Sequence, residues 1–251
     1  MEATQLSPGG EWLVVRCGYA HIQDLEIVNK EGHRWVLQFK DYLAEEALFP
    51  DGELPMGGLY PIHWTHDDAY FYFYPHINYS GGGGCFYRYF MQGLFRINLD
   101  SGAVSTVLPA TSLGEGYEVS FSPDGRWMVY IQRRPVLVNL QTGEETTIGI
   151  GDDHAGNFFW SPDSSALVFT TCRDSKEDGS IIQSAINVYS LASNDLSRLL
   201  VVQKQFLRIE KWDENNVLRI VNREEKTEKN NYIYYDWSVG QFVTPTPTTQ
   251  P

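Results

Sequence analysis

Apolar stretches recur along the chain and are separated by short polar turns. In Trp127-Met-Val-Tyr-Ile131 the side chains alternate between two faces, which is typical of a β-strand. Tyr70-Phe-Tyr-Phe-Tyr74 is aromatic at every position, which indicates a strand that is covered on both faces. In the clearest segment the pattern predicts four strands, at Tyr117–Ser122, Trp127–Ile131, Val136–Leu140 and Glu145–Ile150.

A tight turn of the Ser-Pro-Asp-Gly type marks each segment and makes the segments copies of one repeat. Ser122-Pro-Asp-Gly125 is the clearest copy, and Ser7, Thr65, Ser161 and Asp213 occupy the position of its serine. We call these five the anchor residues. In such a turn proline presets φ, aspartate bonds back to the backbone and glycine accepts a positive φ. The shortest step, from Ser122 to Ser161, is 39 residues, which fits one four-stranded propeller blade, and longer steps carry insertions.

The Ser-Pro-Asp-Gly turn followed by an aromatic strand resembles the WD-like propeller repeat of the TolB family. Similar repeats build the propeller domains of prolyl oligopeptidase-type proteins. The resemblance covers about residues 5–243 and implies an all-β fold, a β-propeller of about five four-stranded antiparallel blades. A larger ring is the open alternative. The predicted domains are a propeller at 1–243 and a Thr/Pro-rich linker or tail at 244–251.

Composition narrows the classes of function. The chain has 251 residues, of which 42% are hydrophobic, enough to fill a core. Its net charge of −13 and the lack of a basic stripe argue against nucleic-acid binding. No apolar run is long enough to span a membrane, so no membrane insertion is predicted. The start lacks the pattern of a signal peptide, which leaves open a cytosolic protein or a piece of a longer exported bacterial chain; the Thr/Pro tail favours a cell-envelope or secreted location.

Three cysteines give an odd number without a C-x-x-C spacing. Cys17 and Cys172 each end the second strand of their repeat, so both are predicted to be small buried hydrophobic residues. A disulfide with Cys85 is left open.

Loop lengths distinguish the two ends of the predicted blades. In an antiparallel four-stranded blade, the turn between the first two strands and the turn between the last two lie at one end. Those turns are short throughout this chain. The insertions fall at the other end, at 40–59, 75–93, 173–184 and 223–231. We call this end the long-loop face, and we expect binding residues there.

The insertion at 75–93 is the most unusual of these loops. It combines four consecutive glycines with aromatic and cationic side chains, the types that are enriched in interface hot spots. The predicted binding residues are His76, Tyr79, Phe86, Tyr87, Arg88, Tyr89 and Phe90. The alternative is that this loop caps the hydrophobic mouth of the ring. It is not a phosphate loop, because it lacks the lysine and the following helix.

Catalytic and metal-binding motifs are sparse. His63 and His66 are three residues apart on a predicted strand and turn, which places their side chains on opposite faces, so no metal site is predicted. No cofactor is predicted either. A glycosidase would need converging carboxylates, for which the candidates are Glu118, Asp152, Asp153 and Glu210. They occupy unlike positions in their repeats, and Asp152-Asp-His154 is interpreted as a solvated acidic loop.

These observations predict a non-catalytic interaction module that binds a protein partner or an extracellular ligand through the long-loop face. Two alternatives stay open: a glycosidase-like enzyme with carboxylates in a central channel, and an accessory propeller that gates another domain.

Overall fold

The computed structural model describes residues 2–19, 22–45, 54–77, 91–111, 117–131, 134–175, 177, 179–213, 215–224 and 230–243. In this part of the chain the structure consists of twenty β-strands and one 3₁₀ helix, Phe39–Tyr42. The strands are β1 (Glu2–Leu6), β2 (Trp12–Tyr19), β3 (Ile22–Asn29), β4 (Arg34–Leu37), β5 (Gly57–Trp64), β6 (Tyr70–Ile77), β7 (Leu94–Asn98), β8 (Val104–Leu108), β9 (Glu118–Phe121), β10 (Trp127–Ile131), β11 (Pro135–Asn139), β12 (Glu145–Thr147), β13 (His154–Trp160), β14 (Ala166–Asp174), β15 (Ile181–Ser190), β16 (Asp195–Gln203), β17 (Gln205–Trp212), β18 (Val217–Glu224), β19 (Asn230–Asp236) and β20 (Gln241–Val243).

Strands that follow one another in sequence pair in antiparallel groups of four. The groups β9–β12, β13–β16 and β17–β20 each form a separate four-stranded sheet. The groups β1–β4 and β5–β8 share one eight-stranded sheet, because β3 and β5 meet in a short parallel pair at Ile22 and Gly57. The all-β propeller class is therefore confirmed, and the number of blades in a closed ring stays a prediction.

The described chain divides by its contacts into two compact units, the first ending at Glu118 and the second beginning at Val119. In the first unit one apolar core includes Val14, Leu25, Phe39 and Phe73, all fully buried. The 3₁₀ helix belongs to this core, and its Phe39 N–H donates to Asp24 Oδ1 at 2.7 Å.

Two apolar clusters are seen among the described residues of the second unit. One is centred on Val129, Leu167 and Phe169, and the other on Ile186 and Ile220, all of them fully buried. β14 and β15 contribute to both clusters and so link successive sheets within this unit.

The strand at 70–74 is covered on both faces, as its sequence predicts. Phe71 and Phe73 are fully buried on one face, and Tyr72, which points the other way, is only 3% exposed. In the clearest repeat the predicted strands also agree with the observed ones to within three residues at each end. The bounds of β10, Trp127–Ile131, are predicted without any deviation.

The anchor residues perform the same task in all five repeats. Each side-chain oxygen accepts the backbone N–H of the residue that begins the second strand of its repeat, at 2.9 to 3.2 Å. The donors are Trp12, Tyr70, Trp127, Ala166 and Val217. The repeat is thus confirmed, including its last copy, where the carboxylate of Asp213 replaces a hydroxyl.

Removing the hydroxyl of one anchor residue should lower the free energy of unfolding by more than the small size of the group suggests. Ser161 is fully buried and accepts the Ala166 N–H at 2.9 Å, and Ala166 is itself buried. In Ser161→Ala that N–H loses its acceptor, so we expect the free energy of unfolding to fall by about 1–3 kcal/mol. The measurement is equilibrium denaturation in urea.

The matched control is Ser165→Ala in the same turn. Its hydroxyl is exposed and donates to Asp163 at 2.8 Å, so the expected loss is below about 1 kcal/mol. Equal losses for the two variants would contradict the assigned role of the anchor.

The cysteines correct one prediction. Cys172 is buried, as expected, but it is disulfide-bonded and so is not a simple hydrophobic residue. Cys17 is a free, partly buried thiol whose pKa is raised by burial and by the nearby Glu26 and Asp24 carboxylates. Cys85 lies outside the described residues. Cysteine spacing does not determine pairing, because pairing depends on which strands are brought together.

No helix in the described residues has the length and apolar character that a bilayer span requires.

Candidate functional site

The short turns at one end of the sheets are occupied by their own hydrogen bonds. Ser122 Oγ donates to Asp124 Oδ1 at 2.6 Å, and Ser161 Oγ does the same to Asp163. The turn at Ser7 is bonded to the next repeat, because its hydroxyl donates to Asp68 Oδ2 at 2.7 Å. Polar groups at this end are therefore largely used to stabilise the fold.

The long-loop face is described only in part. Residues 46–53, 78–90 and 225–229 of its insertions lie outside the described residues. They include six of the predicted binding residues, namely Tyr79, Phe86, Tyr87, Arg88, Tyr89 and Phe90. A binding role for these six stays a prediction.

His76, the seventh predicted binding residue, lies in β6 within a group of aromatic side chains. Its ring makes an edge contact with Tyr60, with centroids 5.3 Å apart, and Tyr60 stacks on Tyr74 at 5.7 Å. The Arg16 guanidinium lies 3.8 Å from the centre of the Tyr60 ring. Burial raises the pKa of Tyr74 to about 12, so this phenol stays neutral. The arrangement is a packed cation–π and aromatic cluster.

A small cavity lies against the β13–β16 sheet of the second unit and extends from the long-loop face, at Gly149–Gly151 and Arg173, along the sheet to Leu196. Its volume is about 260 Å³, near the lower limit for small-molecule sites. Thr171 and Arg173 of β14, Asn187 of β15, and Leu196 and Arg198 of β16 line it. The segment Gly149-Ile-Gly151, which connects β12 to β13, forms the remaining wall.

Strand register explains why these side chains meet. Thr171 and Arg173 are alternate residues of β14 and so share one face of the sheet. Asn187 lies directly opposite Arg198 in the next strand pair, and its Nδ2 donates to Thr171 Oγ1 at 2.9 Å. Thr171 and Asn187 are each 2% exposed, which makes the polar floor of the cavity rigid.

Asp153 organises the charge at this cavity. Its side chain is only 5% exposed, and Arg173 donates to its Oδ1 through both Nε and Nη2 at 2.7 Å. Arg198 Nη2 lies 3.6 Å from the other oxygen, Oδ2. The interpretation of Asp152-Asp-His154 as a solvated loop is therefore wrong for Asp153. A buried carboxylate requires such pairing, because its desolvation would otherwise cost several kcal/mol.

The other candidate carboxylates occupy varied settings. Glu210 is ion-paired with Arg219, Asp152 is exposed, and Glu118 is partly buried in β9. Among the described residues, no three His, Cys, Asp or Glu side chains group closely enough to hold a metal ion.

Sequence reasoning missed Arg173 and Arg198. Arg173 was noted only as the start of an insertion, and Arg198 lies in a polar outer strand without any motif. The predicted pairing of strands could have pointed to these two arginines. Both lie in the same repeat as the candidate carboxylate Asp153, so the pairing brings them into one sheet close to it.

No protein-family model matches the chain, and no curated protein matches it in sequence. Solved structures do resemble it. A prolyl endopeptidase structure superimposes with a TM-score of 0.58 at 13% identity, over 98% of this chain and 36% of that chain. A puromycin-hydrolyzing peptidase of Mycobacterium tuberculosis gives 0.52 at 14% identity, over 97% and 38%. A putative TolB from Agrobacterium tumefaciens gives 0.48 at 13% identity, over 96% and 79%.

The two peptidase structures, both with TM-scores above 0.5, show the fold. The resemblance to prolyl oligopeptidase-type propellers is confirmed at that level, and the chain contains a β-propeller module. It spans little more than a third of the length of the two peptidases.

Proposed function

We propose that this chain is a non-catalytic binding module that uses the long-loop face to hold a protein partner or ligand. The observation that carries the proposal is the cavity at that face, where two half-exposed arginines converge on the buried Asp153. A concave site with a few fixed polar groups and an apolar wall is the usual form of a ligand site.

The contrast between the two ends supports the choice of face. At the short-turn end the serine and aspartate side chains bond to one another, as in Ser161 with Asp163. At the long-loop face, about half of the surface of the Arg173 and Arg198 side chains stays accessible. Arginine is among the residues that contribute most to binding energy at interfaces.

The cellular location follows a separate line of reasoning. We infer a cell-envelope or secreted location from the Thr/Pro-rich residues 244–251, which resemble an extended spacer. A ligand or partner would then be met outside the cytoplasm.

The test is to select peptides on the immobilised full chain from a displayed random library and to measure their affinities for three variants. Two variants alter the long-loop face: one replaces Tyr79, Phe86, Tyr87, Arg88, Tyr89 and Phe90 by serine and keeps Cys85, and the other is Arg198→Gln. The third alters exposed residues of a short turn, Gln141→Ala with Glu144→Ala.

We expect the selected peptides to bind at least one long-loop variant about tenfold more weakly, the effect of losing one strong contact. The short-turn variant should keep the affinity of the unmodified chain. Affinity lost only in the short-turn variant, or a selection that enriches no peptide, would overturn the proposal.

A further inference from the structure

We propose that the cavity bounded by Arg173 and Arg198 binds a carboxylate, either the C-terminal carboxylate of a peptide or a small organic acid. This inference rests on the proposed function and supplies the ligand class for the long-loop face.

Two cationic side chains share one buried anion at the cavity. Arg173 and Arg198 both approach the carboxylate of Asp153, and about half of each arginine side chain stays exposed. The N–H donors that Asp153 does not occupy can therefore meet an anion in the cavity.

The buried aspartate also fixes the donors in place. Arg173 has five N–H donors in a rigid fork, and Asp153 occupies its Nε and Nη2 edge. The 2.7 Å contacts hold the guanidinium plane, so a ligand would meet donors that are already oriented. Planar guanidinium groups match the two oxygens of a carboxylate.

The lining provides the remaining contacts that such a ligand needs. Thr171 Oγ1 accepts from Asn187 and keeps its own proton for donation to an acceptor in the cavity. Ile150 and Leu196 offer apolar contact to a short aliphatic chain. A volume of about 260 Å³ accommodates one small acid or one terminal residue, but not a large cofactor.

The charge of the whole chain favours a carboxylate over a phosphate. A net charge of −13 repels anions at long range, and the repulsion increases with the charge of the ligand. A monovalent carboxylate is repelled least, and the local arginine pair then attracts it at contact distance.

The test is an NMR titration of the full chain labelled with ¹⁵N-arginine, in which propionate, a monovalent carboxylate with a short aliphatic chain, is added at constant ionic strength. The Nε–Hε signals of Arg173 and Arg198 should shift and saturate. The signal of Arg126, an exposed arginine of a short turn, should not follow them. Linear shifts without saturation that are alike for all three arginines would overturn the proposal.

Variants assign the binding to the arginine pair. Arg198→Gln keeps the close Arg173–Asp153 contact and so should fold, and we expect it to bind propionate about tenfold more weakly. Arg126→Gln is the matched control and should leave binding unchanged. Equal binding by both variants would contradict the proposal.

Three further titrations decide between ligand sources. A short peptide with a free C-terminus that binds more tightly than its C-terminal amide would identify a peptide carboxylate. Propionate that binds more tightly than both peptides would identify a small acid. Inorganic phosphate that binds more tightly than every carboxylate would overturn the assignment of ligand class.

The two proposals fail separately. If the selected peptides need the long-loop face but no carboxylate saturates the arginine signals, the binding function stands and the carboxylate site does not. If propionate saturates those signals while selected peptides bind only the short-turn end, the general proposal for the long-loop face fails.

Discussion

Replacing Phe169 by alanine is expected to lower the free energy of unfolding by about 3–5 kcal/mol, the largest effect that we predict for one residue. Phe169 lies in β14, is fully buried and belongs to the cluster that joins two sheets of the second unit. Its ring lies 5.6 Å from that of Phe158. The variant removes this contact and leaves a cavity that tightly packed neighbours cannot fill. Guanidinium denaturation should show a lower midpoint with an unchanged slope.

Phe242→Ala is the matched control, because it removes the same side chain from the same unit. Phe242 is 48% exposed and makes one edge contact with Tyr235, at 5.1 Å between ring centres. We expect a loss of about 0.5–1.5 kcal/mol. If the two variants lose the same free energy of unfolding, Phe169 does not occupy a core position.

The repeat could be predicted from sequence because its requirements are local. Each anchor residue has to accept an N–H four or five residues later in the chain, and only a few side chains can do so. Asp213 shows how far this holds. Its repeat has lost the proline and glycine of the turn, yet its carboxylate makes the same bond to Val217 at 2.9 Å.

The joining of the first two groups of strands could not be predicted in this way. β3 and β5 pair through Gly57 and Gly58, which the sequence interpretation placed in an insertion. A Cβ on Gly57 would lie 2.1 Å from the His76 carbonyl oxygen, and one on Gly58 would lie 2.7 Å from Gln23 Cβ. Gly58 thus permits the close approach of β5 to β3, whereas Gly57 permits that of β5 to β6, and local patterns do not encode the partner of such an approach.

The cavity was missed for a related reason. The acidic tripeptide at 152–154 has the composition of a solvated loop, and only the register of β14 and β16 brings arginines to Asp153. Loop length draws attention to this end of the sheet, and a binding role there stays a prediction. It could not separate the residues that line a cavity from those that merely extend a loop, since that distinction depends on burial.

Stability should also fall as the pH is lowered from about 7 to about 5, because of His63. His63 is partly buried in β5 opposite Tyr72, and desolvation lowers its pKa from 6.5 to about 4. Well above pH 6.5 the His63 side chain is neutral in both the folded and the unfolded chain, so its lowered pKa does not change the free energy of unfolding there. Below that value the unfolded chain binds a proton that the folded chain resists, so unfolding is favoured until the folded pKa of about 4 is reached. Between about pH 7 and about pH 5 the expected loss is about 2 kcal/mol.

His63→Gln should remove this contribution, because glutamine does not titrate. The measurement is urea denaturation at a series of pH values for the unmodified chain, His63→Gln and the control His66→Gln. His66 is exposed in the adjacent turn, so its replacement should leave the pH dependence as it is. If His63→Gln loses stability between about pH 7 and about pH 5 as steeply as the unmodified chain, another group binds the proton. The depressed pKa of His63 would then have no part in the pH dependence.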